Sequence, residues 1–308
     1  MRNILIRSDS SSKIGIGHVM RDLVLAEQFE KDKVFFATRN LEGNINEKIT
    51  DSGYKIFTLK TNGVDELISL INDKKIDMLI IDHYNINYEY ETYIKEKTVV
   101  KIFCLDDTYK KHNCDILLNH NISAQEDKYN NIIPDNCEIR CGIKYTLIRK
   151  EFIEEKKKRK KKNKNNRVKT VFIAMGGADH SNINLQILDV LSEFCDKIKA
   201  IVVTTNANKN LNELIYYSAG KEWIDLCINS NKIAYLMTES DLAIVTPSVT
   251  INEVVFMELP FIAIKTAENQ NDMYEYLVKN NYPILKEFDS ILLIEKILIL
   301  YNYFSVGI

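Results

Sequence analysis

No excess of either charge marks this chain. Its 308 residues carry 41 Lys and Arg against 43 Asp and Glu, a net charge of −2, so no global field points to nucleic acid or an anionic membrane as a partner. Paired Cys-x-x-Cys spacing is also missing. The six cysteines (Cys104, Cys114, Cys137, Cys141, Cys195, Cys227) are scattered, and no second pair or nearby histidine joins Cys137 and Cys141 to complete a zinc set, which points to reduced thiols in a cytoplasmic protein. No apolar run approaches the ~18 residues of a membrane-spanning helix. No basic-then-apolar leader precedes the first apolar run, so neither membrane insertion nor secretion is expected. Glycine (10) and proline (4) are scarce while lysine, isoleucine and asparagine abound, a compositional bias with little functional content.

What is present is a globular balance of 45% hydrophobic and 27% charged side chains, in a chain long enough for two domains with substantial cores. Apolar runs and amphipathic stretches alternate at the spacing of strand–helix–strand units. In the first half, strands are read at 4–6, 34–37, 55–59, 78–82, 99–105 and 116–119, with helices opening near His18, ending near Ser52 and spanning 64–74. In the second half, strands at 170–174, 200–203, 223–227, 241–245 and 261–264 alternate with helices at 182–194, 211–218, 232–239, up to Lys279 and over 290–301. Between the halves, residues 156–162 are all basic and 163–167 continue the polar run; such a stretch repels itself, lacks interleaved aromatics, and marks a boundary rather than a nucleic-acid site. The expected fold class is α/β: two Rossmann-like domains, 1–152 and 168–285, facing a central cleft, followed by a C-terminal helix over 286–308. Such a cleft is a favoured place for a small ligand.

The stretch Arg7 to Asp22 organises the first half. It follows a buried strand, contains Gly15 and Gly17, and runs into a helix at His18. In a parallel sheet this order puts the loop at the carboxyl edge of the strands, where ligands bind. Gly17 lets the backbone approach a ligand, and the free N–H groups of the first helical turn attract anionic groups. The loop has Gly-x-Gly-His without the third glycine or the acidic residue of a dinucleotide site, so it is not read as one. A histidine at a positive helix end is disposed to stay neutral and accept a proton, which makes His18 the candidate base. Asp22, one turn on, either orients His18 or is a plain surface carboxylate. Several further strands stop at polar residues: Asp82-His83-Tyr84, Asp106-Asp107, Asn119-His120. Tyr84 is given a functional reading, while Asp107 and His120 are read as turn chemistry.

In the second half, Gly176-Gly177 forms another glycine turn before a helix, and Ser248-Val249-Thr250 offers hydroxyls and unpaired N–H groups of the kind that bind phosphate. Glu253 lies in the first turn of the same helix, where its carboxylate suits two vicinal ribose hydroxyls; service to the helix dipole is the plainer alternative.

At this point the residues are recognisable. Arg7-Ser8-Asp9-Ser10-Ser11-Ser12, Ile14-Gly15-x-Gly17-His18 and Arg21-Asp22-Leu23 strongly resemble the UDP-sugar hydrolases of pseudaminic acid biosynthesis. The similarity continues through Ile80-Ile81-Asp82-His83-Tyr84, Cys114-Asp115-Ile116-Leu117-Leu118-Asn119, Arg140-Cys141-Gly142, Met175-Gly176-Gly177, Asn252-Glu253 and Asn269-Gln270, to about residue 285. The opening loop and the Glu253 helix are more distantly like those of the lipid II-forming N-acetylglucosaminyltransferase. Ala178 stands where the family usually has Thr, and residues 246–250 are a variant of a more serine-rich loop, which bears on hydroxyl but not on backbone contacts. The resemblance implies a GT-B fold, His18 as catalytic histidine, Tyr84 and Asn269 in the sugar pocket, and UDP held chiefly by the second domain through Gly176, Gly177, Ser248, Val249, Thr250 and Glu253. The implied reaction releases UDP and free sugar from a UDP-2,4-diacetamido-trideoxy-altrose with inversion, in a monomer, with no metal or cofactor. The alternatives are an inverting glycosyltransferase that uses an acceptor hydroxyl in place of water, a UDP-sugar 2-epimerase, and a UDP-sugar-binding regulator without turnover.

Overall fold

The computed structural model describes residues 1–158 and 168–305, so the basic run beyond Lys158 and its polar continuation lie outside the described residues. The chain divides into two units, Met1–Leu147 and Ile148–Ile308. In the first, the elements run β1 (Asn3–Ser8), α1 (Gly17–Ala26), β2 (Lys33–Arg39), α2 (Asn46–Asp51), β3 (Lys55–Leu59), α3 (Val64–Lys74), β4 (Met78–Asp82), α4 (Tyr88–Lys97), β5 (Lys101–Leu105), β6 (Ile116–Asn119) and β7 (Glu138–Cys141). In the second they run α5 (Lys150–Lys158), β8 (Thr170–Ala174), α6 (Ile183–Ser192), β9 (Lys199–Thr204), α7 (Leu211–Ser218), β10 (Ile224–Ile228), α8 (Ile233–Glu239), β11 (Leu242–Val245), α9 (Val249–Phe256), β12 (Phe261–Ile264), α10 (Asn271–Lys279), β13 (Ile284–Leu285) and α11 (Ser290–Ser305).

The first sheet has strand order β3-β2-β1-β4-β5-β6-β7 and the second β10-β9-β8-β11-β12-β13, with neighbouring strands parallel throughout. Helices on both faces explain why the central strands read as nearly unbroken apolar runs. In β1 and β4 alternate side chains serve opposite layers. Leu5, Leu79 and Ile81 pack with Leu67, Ile71 and Ile94 of α3 and α4, whereas Ile4, Ile6, Met78 and Ile80 pack with Val19 and Leu23 of α1 and Ile49 of α2. Each such fully buried aliphatic contributes ~1.5–3 kcal/mol relative to exposure.

Three elements have no counterpart in the sequence reading. Helix α4 buries only Glu91 and Ile94, too sparse a stripe to show helical periodicity, and is started by Asn87, whose side chain accepts from the Tyr90 amide at 3.1 Å. Strand β7 closes an edge with no buried residue, and β13 has only two residues. The unit boundary falls at 147/148 rather than 152, because α5 packs on α8. Helix α11 is part of the second unit's core: Leu293 and Ile297 are buried with Ile187 and Leu191 of α6.

Candidate active site

Both sheets reverse strand order beside their first strand, between β1 and β4 and between β8 and β11. Chain crossing from one side to the other splays the loops at such points, which is why ligands bind there in open α/β sheets. The loop after β1 carries the Gly17–His18 turn and the end of β4 carries Asp82; Ser8 and Asp82 are register partners. The loops after β8 and β11 carry Gly176–Gly177 and Ser248–Thr250.

His18 is the second residue of α1, and its Nδ1 lies 2.7 Å from Asp82 Oδ1. Arg21, on the same helix face, grips both Asp82 oxygens at 2.5 Å through Nε and Nη2 and reaches Asp107 at 2.9 Å through Nη1. Burial by itself would raise the Asp82 pKa, but the charge and hydrogen bonds of Arg21, with the His18 contact, outweigh it and hold the carboxyl well below the usual range. An ionised carboxylate only accepts, so the short contact puts the imidazole proton on Nδ1 and leaves the Nε2 lone pair available. Tyr84 lies edge-on to the His18 ring, centroids 4.6 Å apart, and donates its hydroxyl to Asp107 at 3.1 Å. Burial first, and the neighbouring Asp107 charge next, push the Tyr84 phenol up to about 12.

The loop from Asp9 to Ile16 is tied down from beneath. Arg7 is wholly buried and donates to Asp9 at 2.8 and 3.0 Å and to Asn62 at 2.7 Å. Asp9 also accepts from the Arg39 amide and Nε, each at 2.8 Å, and meets His83 Nε2 at 3.1 Å. Despite burial, those donors hold the Asp9 carboxyl far below its ordinary value. Gly15 has φ +84°, a conformation that favours glycine, whereas Gly17 does not, and a Cβ built on it meets nothing within 4 Å. Nothing in the protein itself therefore demands glycine at 17.

The partner that holds His18 is Asp82, not Asp22. Asp22 is fully buried, so it is no surface carboxylate; neither of its side-chain oxygens has a hydrogen-bond partner, and burial followed by repulsion from Asp82 raises its pKa well above the ordinary carboxylate value. Asp107 and His120, read as turn residues, belong to the same cluster. His120 is buried with neither ring nitrogen hydrogen-bonded, and burial followed by the Arg21 charge lowers its pKa to about 4. The signals for Asp82 and Arg21 were an acid at the end of the strand beside β1 and a cation one helical turn from His18.

In the second unit, Gly176 (φ +80°) and Gly177 are exposed, and Gly177 is fitted closely against Thr205. The following helix does not offer a free end: Asp179 accepts from the Ile183 and Asn184 amides of α6 at 2.8 and 3.1 Å. Helix α9 differs, since its N-terminal residue Ser248 makes no side-chain cap, and its hydroxyl faces Thr246 Oγ1 at 3.1 Å. Val249 is exposed and Thr250 half-buried beside it. Glu253 receives two bonds from Arg149 on Oε1, at 3.1 and 2.8 Å, a partner the sequence did not suggest. Burial raises the Glu253 pKa against the pull of Arg149. Asn269 is exposed in a turn that Gln270 closes by accepting from the Thr266 amide at 2.8 Å.

Among the described residues, one group offers metal-ligating atoms within 4.8 Å of one another: Glu91, Cys104 and His112, all buried. They already hydrogen-bond to one another. Glu91 accepts from His112 Nδ1 at 2.7 Å, Cys104 Sγ at 3.3 Å and the Asn113 amide at 2.6 Å. Burial would lower the His112 pKa, but Asp106 and Glu91 raise it to about 10, so the ring is an imidazolium in an ion pair rather than a ligand. All six cysteines are free, as expected from their spacing. No helix among the described residues is long and apolar enough to cross a membrane.

No family model matches the chain. It is 41% identical over 284 residues to the UDP-2,4-diacetamido-2,4,6-trideoxy-β-L-altropyranose hydrolase of Campylobacter jejuni, covering 91% of this chain and 98% of that protein. An uncharacterized protein of Methanocaldococcus jannaschii is 28% identical over 285 residues, 90% of this chain and 58% of its own length. Among solved structures, MurG of Acinetobacter baumannii superposes with a TM-score of 0.64 at 12% identity over 99% of this chain and 94% of its own, a likeness of fold that supports the GT-B class. The identity to the Campylobacter enzyme spans nearly all of both chains, and this chain belongs to the family of UDP-2,4-diacetamido-2,4,6-trideoxy-β-L-altropyranose hydrolases.

Proposed function

We propose that this chain hydrolyses UDP-2,4-diacetamido-2,4,6-trideoxy-β-L-altropyranose to UDP and the free sugar with inversion, as a cytoplasmic monomer that uses His18 as general base. The observation that carries the reading is the Asp82–His18 contact of 2.7 Å beside Arg21, which leaves Nε2 as the proton acceptor. A water oxygen attacks C1 as Nε2 takes its proton. The bond between C1 and the β-phosphate oxygen breaks, and its electron pair leaves with UDP. General-base assistance of this kind contributes ~10²–10⁴-fold.

UDP is a good leaving group and needs its charge stabilised more than it needs a proton. The uncapped N-terminus of α9, at Ser248, Val249 and Thr250, is the donor set for that charge. The N-terminus of α6 is not, because Asp179 occupies it; Gly176 and Gly177 then contribute close backbone approach only. Glu253 offers Oε2 to a ribose hydroxyl while Arg149 holds Oε1. Tyr84, Asn269 and the backbone at Gly17 contact the sugar.

The test is purified protein with the UDP-diacetamido sugar alone, followed by proton NMR. Free sugar appearing first as the inverted anomer together with UDP supports the proposal; no product until an acceptor is added overturns it in favour of a transferase. His18→Ala and His18→Asn abolish UDP release and leave UDP binding nearly intact, and unchanged turnover removes His18 from its role.

A further inference from the structure

Two of the scattered thiols meet in the first unit. Cys114 stands two residues before β6 and Cys137 one residue before β7, 23 residues apart in the chain, and their sulfurs lie 3.6 Å from each other. Strands β6 and β7 are parallel neighbours, and beside the pair the Glu138 amide donates to the Asp115 carbonyl at 3.0 Å, which fixes the two backbones side by side. A disulfide needs its sulfurs about 2.05 Å apart, a closure that rotation of the two side chains supplies. None of the other four thiols competes. Cys104, the buried neighbour of Cys114, donates to Glu91 at 3.3 Å. Cys141 ends β7, about 13 Å along the strand from Cys137. Cys195 and Cys227 belong to the second unit. Cys114 is buried and Cys137 half-buried, so an oxidant from solvent reaches Cys137 first.

We propose that Cys114 and Cys137 are a reversible modification site, a dithiol that a peroxide converts to a disulfide and that thereby latches the edge strand β7 to β6. The Cys137 sulfur, having given up its proton, bonds to one peroxide oxygen; the O–O bond breaks, and the other oxygen leaves as hydroxide, which takes that proton and becomes water. The Cys114 sulfur then attacks the resulting Cys137 sulfenic acid: the S–S bond forms, the S–O bond breaks, and the departing hydroxide carries off the Cys114 proton as a second water. Two electrons pass from the two thiols to one peroxide, and an external dithiol reverses the change by exchange. Contact with Cys104 and burial push the Cys114 thiol up, and contact with Cys114 and burial do the same for Cys137, so both are protonated near neutrality and the pair rests reduced. Attack on peroxide is correspondingly slow. The latch therefore answers sustained exposure rather than a brief pulse. Strand β7 gains most from it, being an edge strand of four residues with none buried. The bridge lies at the amino ends of β6 and β7, whereas His18 stands at the carboxyl edge of the sheet.

The experiment exposes the full chain to millimolar hydrogen peroxide, blocks the remaining free thiols under denaturing conditions, and maps the peptides by mass spectrometry. The expected product is a Cys114–Cys137 crosslink that dithiothreitol removes. The oxidised protein melts about 5–10 °C above the reduced one, the shift expected for closing a loop of this length, and amide exchange slows over β7. Cys114→Ala and Cys137→Ala each lose the crosslink and the shift, and either variant suffices where the other fails to fold. A crosslink to Cys104, disulfides between molecules, Cys137 oxidised alone to its sulfinic or sulfonic acid, or two thiols that both stay open to the blocking reagent overturns the proposal. So does a crosslinked protein whose melting temperature does not rise.

Discussion

Replacing Asp82 by Asn keeps the volume of the side chain and removes its charge. In the wild type both oxygens accept, one from His18 Nδ1 at 2.7 Å and both from Arg21 at 2.5 Å. An amide has one accepting oxygen, and Arg21 competes for it with two donors. The –NH2 group then faces Nδ1, which must accept, and the imidazole proton is driven to Nε2, the atom proposed above to receive the proton from water. The expected loss is therefore the whole general-base term, ~10²–10⁴ in kcat. That equals about 2.7–5.5 kcal/mol at 1.36 kcal/mol per tenfold. KM for the UDP-sugar is expected to change little, because Asp82 is buried and both its oxygens are taken by His18 and Arg21. Unfolding is the competing explanation, since removing one partner of a buried ion pair costs about 3–5 kcal/mol. Arg21 keeps Asp107, which limits that cost, and thermal melts of the variant separate the two effects. A folded Asp82→Asn protein with kcat within about tenfold of wild type refutes the assignment of Asp82 as the residue that holds the base.

Gly17 has no conformational or packing need for glycine, so Gly17→Ala leaves the melting temperature level or raises it, by up to about 1 kcal/mol of stability, while KM rises because the added methyl meets the substrate; an unchanged KM removes Gly17 from the binding surface. The buried His112 ion pair gives a pH signature. Burial lowers its pKa, Asp106 and Glu91 outweigh that, and the folded value of about 10 stands above the ordinary 6.5, so its stabilisation is full below the unfolded value and is lost as pH rises toward 10. Melting temperatures of the wild type consequently fall more steeply from neutral to alkaline pH than those of a His112→Asn, Glu91→Gln double variant, and parallel slopes contradict the ion pair.

Much of the architecture was legible in the chain itself. Strong apolar runs bounded by turns located eleven of the thirteen strands among the described residues, and helix α3 matches its expected bounds, Val64–Lys74. Those signals are local: burial on both faces selects β-branched and aliphatic residues, and an amphipathic stripe repeats every turn. Helix α4 escaped because it buries a glutamate, which no hydrophobic pattern reveals. The loop bearing His18 was likewise readable, since glycine, serine and histidine between a strand and a helix have few structural uses in that combination.

What the sequence could not supply was partnership. Asp22 is the acid nearest His18 on the helix, and helical spacing alone offered it either as a partner or as a surface carboxylate; the carboxylate that meets the ring comes 64 residues later in the chain. The same holds for Arg149 and Glu253, and for Asp179, which closes the α6 terminus behind the glycine turn. Strand and helix are set by neighbours a few residues apart, so composition and period determine them. Which charge meets which depends on strand order, and it is the placing of β4 beside β1 that brought a histidine and a distant aspartate into one hydrogen-bonded pair.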